Sequence, residues 1–108
     1  MKLKRYENNP ILTPQPGSDW ENICTTNPAA WRDNGTIHML YRGAPDTEEH
    51  PVFFGHATST NGYDFVRTSE EPVFGPSVDG FDGGCVEDPR IIKFDDTYFD
   101  AEYMVMYL

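Results

Sequence analysis

The chain has 108 residues, 38% hydrophobic and 14% aromatic, with nine glycines and nine prolines, a composition that allows one small domain and favours strands and turns over helices. Eight basic against eighteen acidic residues leave a formal charge of −10, which repels phosphate backbones and anionic headgroups, so no nucleic acid and no membrane surface is expected as a partner. Cys24 and Cys85 have neither close metal-ligand spacing nor the density of a secreted disulfide scaffold, and both read as reduced packing residues.

In chain order, Met1-Lys2-Leu3-Lys4-Arg5 is basic like a signal peptide, but Tyr6-Glu7-Asn8-Asn9-Pro10 stands where the apolar core of one belongs. No long apolar run follows, so a cytoplasmic location is expected. Asn9-Pro10-Ile11-Leu12 opens a polar loop containing Trp20, and the loop leads to Asn27-Pro28. After a turn at Asp33-Asn34-Gly35, residues Thr36 to Arg42 alternate, with Ile37, Met39 and Tyr41 on one face and Thr36, His38, Leu40 and Arg42 on the other. The loop from Gly43 to His50, with Asp46, Glu48 and Glu49, reads as solvated, and Pro51 to Thr58 supplies the next strand. Asn61-Gly62 then predicts a primed hairpin turn, with Tyr63 and Phe65 beginning the outgoing strand and Asp64 as a turn residue. Large aromatics such as Trp20 and Trp31 could stack on a ligand, but packing is the default. His38, His50 and His56 lack ligand spacing, so no metal is assigned.

An internal repeat organises the chain. Asn9-Pro10-Ile11-Leu12 matches Glu71-Pro72-Val73-Phe74, Trp20 matches Phe81, Cys24 matches Cys85 and Asn27-Pro28 matches Asp88-Pro89, all at an offset of 61 or 62 residues. A strand-rich unit repeated at this length predicts propeller blades or a related array, with units of roughly 9–70 and 71–108.

The second copy carries the densest chemistry, Gly83-Gly84-Cys85-Val86-Glu87-Asp88-Pro89-Arg90-Ile91-Ile92-Lys93-Phe94. Here an acidic pair lies between a glycine turn and an apolar run that starts a strand. Pro89 removes a backbone donor and predicts extended geometry for Asp88, presenting its carboxylate at a strand entrance. A plain turn aspartate fits the same residues. On strand alternation Glu87 points away from Asp88, whereas Arg90 returns to its side, where it steadies the carboxylate, reaches a ligand or makes a structural salt bridge. Arg42 ends its strand with a planar donor fork suited to vicinal hydroxyls, and a solvated strand-end arginine is the alternative. Asn27 is either a simple turn residue or, through its repeat equivalence to Asp88, part of the same site.

Asn-Pro-Ile-Leu, Trp20, Asn27-Pro28-Ala29-Ala30, Leu40-Tyr41-Arg42, Gly55-His56-Ala57-Thr58-Ser59, Glu71-Pro72-Val73 and Gly84-Cys85-Val86-Glu87-Asp88-Pro89-Arg90-Ile91 occur in this order. The series resembles the N-terminal part of glycoside hydrolase family 130, which contains the β-mannoside phosphorylases. The resemblance implies an all-β, five-bladed β-propeller of which this chain covers about two blades, with a funnel that binds a β-mannoside. It further implies inverting attack by inorganic phosphate as co-substrate, with no cofactor, giving α-mannose 1-phosphate. Asp88 is then the acid that protonates the leaving oxygen through a mannosyl hydroxyl, and Asn27 and Arg42 bind the mannosyl unit; the phosphate-gripping cluster of the family lies beyond Leu108.

Chemistry is consistent with one acid, because phosphate is already a nucleophile, whereas an inverting hydrolase needs a second carboxylate to activate water. The expected substrates are β-1,4-linked mannosyl-glucose or mannooligosaccharides. A β-mannosidase on the same scaffold and a non-catalytic carbohydrate-binding module are the alternatives. Two departures from the family pattern stand out: the chain is about a third of the family's length, and Phe99-Asp100-Ala101-Glu102 interrupts a strand before Tyr103-Met104-Val105-Met106-Tyr107. An unclosed ring leaves strand edges exposed, so the chain reads as an enzyme fragment prone to self-association as a homo-oligomer.

Overall fold

The computed structural model describes residues 1–93 and the backbone of Tyr103–Met106. Strands β1 (Cys24–Asp33), β2 (Thr36–Ala44), β3 (Phe53–Ser59) and β4 (Val66–Arg67) form a four-stranded antiparallel sheet in the order β1-β2-β3-β4. Strands β5 (Arg90–Lys93) and β6 (Tyr103–Met106) pair antiparallel as a second sheet. This is the expected all-β class, a four-stranded blade followed by strands of a second. The interruption read at Phe99–Glu102 lies outside the described residues.

Local chemistry accounts for the first hairpin. Asn34 and Gly35 adopt φ values of 45° and 85°, the left-handed pair that a two-residue primed turn needs, and Asp33 faces Thr36 directly across it. The second expected hairpin is different. The Ser59 hydroxyl accepts from the amides of Asn61 and Gly62, while Asn61 Oδ1 accepts from those of Tyr63 and Asp64. These side-chain oxygens satisfy four amides that a tight ladder would otherwise use, so the connection lengthens and β4 starts only at Val66. Asp64 acts as a turn residue, accepting from Asn61 Nδ2 at 2.7 Å.

The alternation of β2 sends side chains into two separate cores. Met39 and Tyr41 pack with Trp20 and Ala57 on one face, and Leu40 packs with Phe54 and Val86 on the other. A sheet covered on both faces is the pattern of a propeller blade between neighbours. Trp20 reaches the first core because Gly55 leaves room: a Cβ there would run into the Tyr41 phenol and lie 2.6 Å from Trp20 Cη2. Trp31 stacks on His38 at 5.0 Å, and His38 hydrogen-bonds His56 at 3.1 Å, so these rings pack against one another. Burial together with the neighbouring His38 lowers the pKa of His56.

A buried ion pair ties the loop before β1 to the outer edge of the blade. Arg67 donates from Nε to Glu21 Oε1 at 2.8 Å and from Nη2 to Glu21 Oε2 at 2.9 Å, and reaches the Thr13 carbonyl as well. Glu21 is fully buried. Burial works against the Arg67 charge, but hydrogen bonds and charge from Glu21 and the Tyr41 phenol outweigh it, and the pKa of Arg67 is raised. Burial first, and the Glu21 charge second, push the Tyr41 phenol up to about 12. Among the described residues no helix is long and apolar enough to cross a membrane.

Removing Arg67 strands the fully buried Glu21 carboxylate without its cation. Arg67→Ala is expected to lower unfolding stability by about 3 kcal/mol in urea titrations; a loss below about 1 kcal/mol, the scale of an exposed pair, would show that the pair does not hold the blade together.

Candidate active site

Two apolar anchors present the acidic pair. Val86 is fully buried against Leu40 and Phe54, and its amide donates to the Val52 carbonyl at 3.3 Å; Pro89 is also among the fully buried side chains. Glu87 and Asp88, held between these anchors, are left with side chains 41% and 28% exposed.

Asp88 is not extended. Its φ of 49° lies on the left-handed side, which corrects the expectation drawn from Pro89. Aspartate tolerates this region better than most residues, and the buried anchors on either side outweigh the local preference. Asn27 has a φ of 44° and sits where the register of β1 shifts, between Thr26 and Ala29. The two polar-Pro positions of the repeat therefore share the same unusual backbone conformation. Each turns its side chain toward the other.

The contacts converge on one oxygen. Asn27 Nδ2 and Arg42 Nη1 each donate to Asp88 Oδ1 at 2.8 Å. The Thr26 hydroxyl donates to Asn27 Oδ1 at 3.0 Å, which leaves the amide nitrogen of Asn27 for Asp88. Asn27, Arg42 and Asp88, singled out from the sequence, thus form one constellation spanning β1, β2 and the loop before β5. Arg90 is more loosely attached: it is 62% exposed, its Nη2 lies 4.0 Å from Asp88 Oδ2, and its Nη1 donates to the Asp88 and Pro89 carbonyls. It braces the backbone of the motif.

Glu87 corrects a second expectation. It does not point away from the site, because Glu87 Oε2 lies 3.2 Å from Arg42 Nη1, the same nitrogen that serves Asp88. Strand alternation fails here because the segment before Arg90 is not strand. Glu87 Oε1 accepts from the Cys85 thiol at 3.6 Å. Burial and then the Glu87 charge raise the Cys85 pKa.

Hydrogen bonds from Asn27 and Arg42, followed by the charges of Arg42 and Arg90, hold the Asp88 carboxyl below its ordinary value despite some desolvation. An open cleft of about 780 Å³ lies beside it, bordered by Asn27, Ala29, Asp88, Arg90 and Ile92. The Asp88 carboxylate, the Asn27 amide and the Arg90 guanidinium border this cleft, and Arg42 is linked to it through Asp88 Oδ1; donors and acceptors in fixed geometry are what hydroxyl-rich ligands need. Among the described residues no cluster of three or more His, Cys, Asp or Glu could hold a metal ion.

No protein-family model matches the chain. It is 36% identical over 105 residues to a 1,2-beta-oligomannan phosphorylase of Thermoanaerobacter sp. (strain X514), covering 92% of this chain and 34% of that protein. It is 32% identical to a beta-1,2-mannobiose phosphorylase of the same strain, covering 91% of this chain and 35% of that protein. The chain thus spans about a third of the length of the curated relatives it matches. Among solved structures, a glycosyl hydrolase from Bacteroides ovatus superposes with a TM-score of 0.79 at 33% identity, over 98% of this chain and 34% of that one. Another superposes with a TM-score of 0.76 at 30% identity, over 95% of this chain and 33% of that one. It was reported with the statement that the GH130 family of mannoside phosphorylases contains glycoside hydrolases that target β-1,2 mannosidic linkages in Candida mannan.

Because the folded pKa of Asp88 lies below the ordinary 3.8, its contacts contribute stability that is present above about that pH and is lost as pH falls through the folded pKa. Asn27→Ala removes the leading cause of the depression. In carboxyl-carbon NMR titrations the Asp88 midpoint is expected to rise toward 3.8 in this variant, and an unmoved midpoint would discard Asn27 as the cause.

Proposed function

From the likeness to glycoside hydrolase family 130, carried by sequence and structure over nearly the whole chain, we propose that the full-length protein is an inverting β-mannoside phosphorylase. In this reading Asp88 is the proton donor and Asn27 and Arg42 hold the mannosyl unit. The observation that carries it is the convergence of Asn27 and Arg42 on Asp88 Oδ1 at the edge of an open cleft. The two repeat units, roughly 9–70 and 71–108, serve as successive blades, the first supplying Asn27 and Arg42 and the second Asp88.

The linkage proposed is β-1,2. The expectation of β-1,4-linked mannosyl-glucose came from the family as a whole, and the relatives that support the assignment are named for β-1,2-mannosides.

Phosphorolysis here needs one acid and one external nucleophile. A phosphate oxygen bonds to the anomeric carbon on the face opposite the leaving group as the glycosidic C–O bond breaks. The Asp88 proton passes to the departing oxygen through a mannosyl hydroxyl, and α-mannose 1-phosphate and the shortened sugar leave. In the unliganded site Asp88 is held as a carboxylate, so ligands must restore its proton. Sugar hydroxyls compete for Asn27 and Arg42, and an incoming anion disfavours a second negative charge; both raise the carboxyl pKa.

A β-mannosidase is the second reading, supported by the statement that the GH130 family contains hydrolases. The two part on the need for phosphate. Full-length protein given β-1,2-mannobiose is expected to release α-mannose 1-phosphate only when phosphate is present, and Asp88→Asn is expected to lower kcat by about 10²- to 10⁴-fold. Mannose released equally well without phosphate would replace the phosphorylase with the hydrolase. No turnover of any β-mannoside would leave a carbohydrate-binding module, tested by calorimetric titration with the same sugar.

A further inference from the structure

Resting on the phosphorylase reading of this site, we propose that Glu87 is a positioning residue: by sharing Arg42 with Asp88 it limits how tightly the acid is held as a carboxylate and sets the pH range in which Asp88 carries a proton.

The geometry is specific. Two carboxylate oxygens lie within ion-pair distance of Arg42 Nη1: Asp88 Oδ1 at 2.8 Å, which accepts its hydrogen bond, and Glu87 Oε2 at 3.2 Å, which is paired by charge. Glu87 is turned toward that nitrogen from its far end, where Oε1 takes the Cys85 thiol. Buried Val86 and Pro89 flank the pair and anchor the segment that carries both acids. The Arg42 side chain is 18% exposed, which weakens the screening of its charge by solvent.

The groups facing Asp88 come from every neighbouring element. Arg42 of β2 and Arg90 of β5 favour its ionised form, Asn27 of β1 donates to it as a neutral group, and Glu87 and the Cys85 thiol lie on its own segment. Arg90 is the more distant and more exposed cation, so the balance rests on Arg42 and on how it is divided. A guanidinium engaged only with Asp88 would keep the acid ionised over a wider pH range. Glu87 weakens that grip and adds a nearby negative charge, and both effects favour a protonated Asp88.

Glu87→Gln keeps the shape and a carbonyl acceptor but removes the charge; Glu87→Asp keeps the charge. A general acid works while protonated, so activity falls as pH rises through its pKa, and lowering that pKa moves the falling limb to lower pH. In the full-length protein carrying ¹³C at aspartate carboxyls, with Asp88→Asn to assign the signal, Glu87→Gln is expected to shift the Asp88 midpoint downward. The falling limb of kcat/KM for β-1,2-mannobiose, which reports the unliganded site, is expected to follow by roughly half a pH unit, about threefold on that limb. Glu87→Asp should restore most of the limb. An Asp88 midpoint that stays in place or rises in Glu87→Gln overturns the proposal, as does a uniform loss of kcat at all pH values. Should the parent show no phosphorolysis, the reaction assignment fails by itself, and the carboxyl titration, which needs no turnover, still decides the role of Glu87.

Discussion

One carboxylate oxygen joins the two repeats. Asp88 Oδ1 accepts from Asn27 of the first unit at 2.8 Å and from Arg42 of the same unit at the same distance. The backbone conforms to this contact. Asn27 and Asp88 both take left-handed φ values, a conformation that costs a non-glycine residue about 1 kcal/mol or more and persists only where the surroundings overdetermine it. Here the surroundings are the displaced register of β1 on one side and buried Val86 and Pro89 on the other.

The two ion-pair clusters occupy opposite faces of β2, where Tyr41 and Arg42 are successive residues. Glu21, Arg67 and Tyr41 form a polar cluster whose hydrogen bonds are largely internal, next to Trp20 and away from the cleft. The pairing of Arg67 with both Glu21 oxygens satisfies a carboxylate that would be costly to bury alone. The Asp88 cluster, by contrast, is part-exposed, and Arg42 Nε is a buried donor with no hydrogen-bond partner among the described residues. The two ion pairs thus differ in how completely their polar groups are satisfied.

The charge state of the site follows from this openness. Two arginines and two carboxylates lie together, with the closer arginine shared. In the phosphorylase reading proposed above, such a balanced group responds to an arriving ligand more readily than an acid locked to one cation would, since displaced hydrogen bonds and added negative charge both act on Asp88.

The sequence alone was enough for the local features. Asn34-Gly35 encodes its own turn because both residues tolerate positive φ, the alternation from Thr36 to Arg42 placed Arg42 on the Leu40 face, and the repeat linked Asn27 to Asp88 before any contact was visible. It also misled where neighbours outvoted local preference: Pro89 argued for an extended Asp88, strand alternation sent Glu87 the wrong way, and Asn61-Gly62 suggested a tighter hairpin than the side-chain oxygens of Ser59 and Asn61 allow. Only the tertiary structure could decide that Glu21 meets Arg67 and that Glu87 and Asp88 share one nitrogen of Arg42. Those partners lie 45 or 46 positions apart, and no periodicity along the chain encodes which charges the packed sheet will bring together.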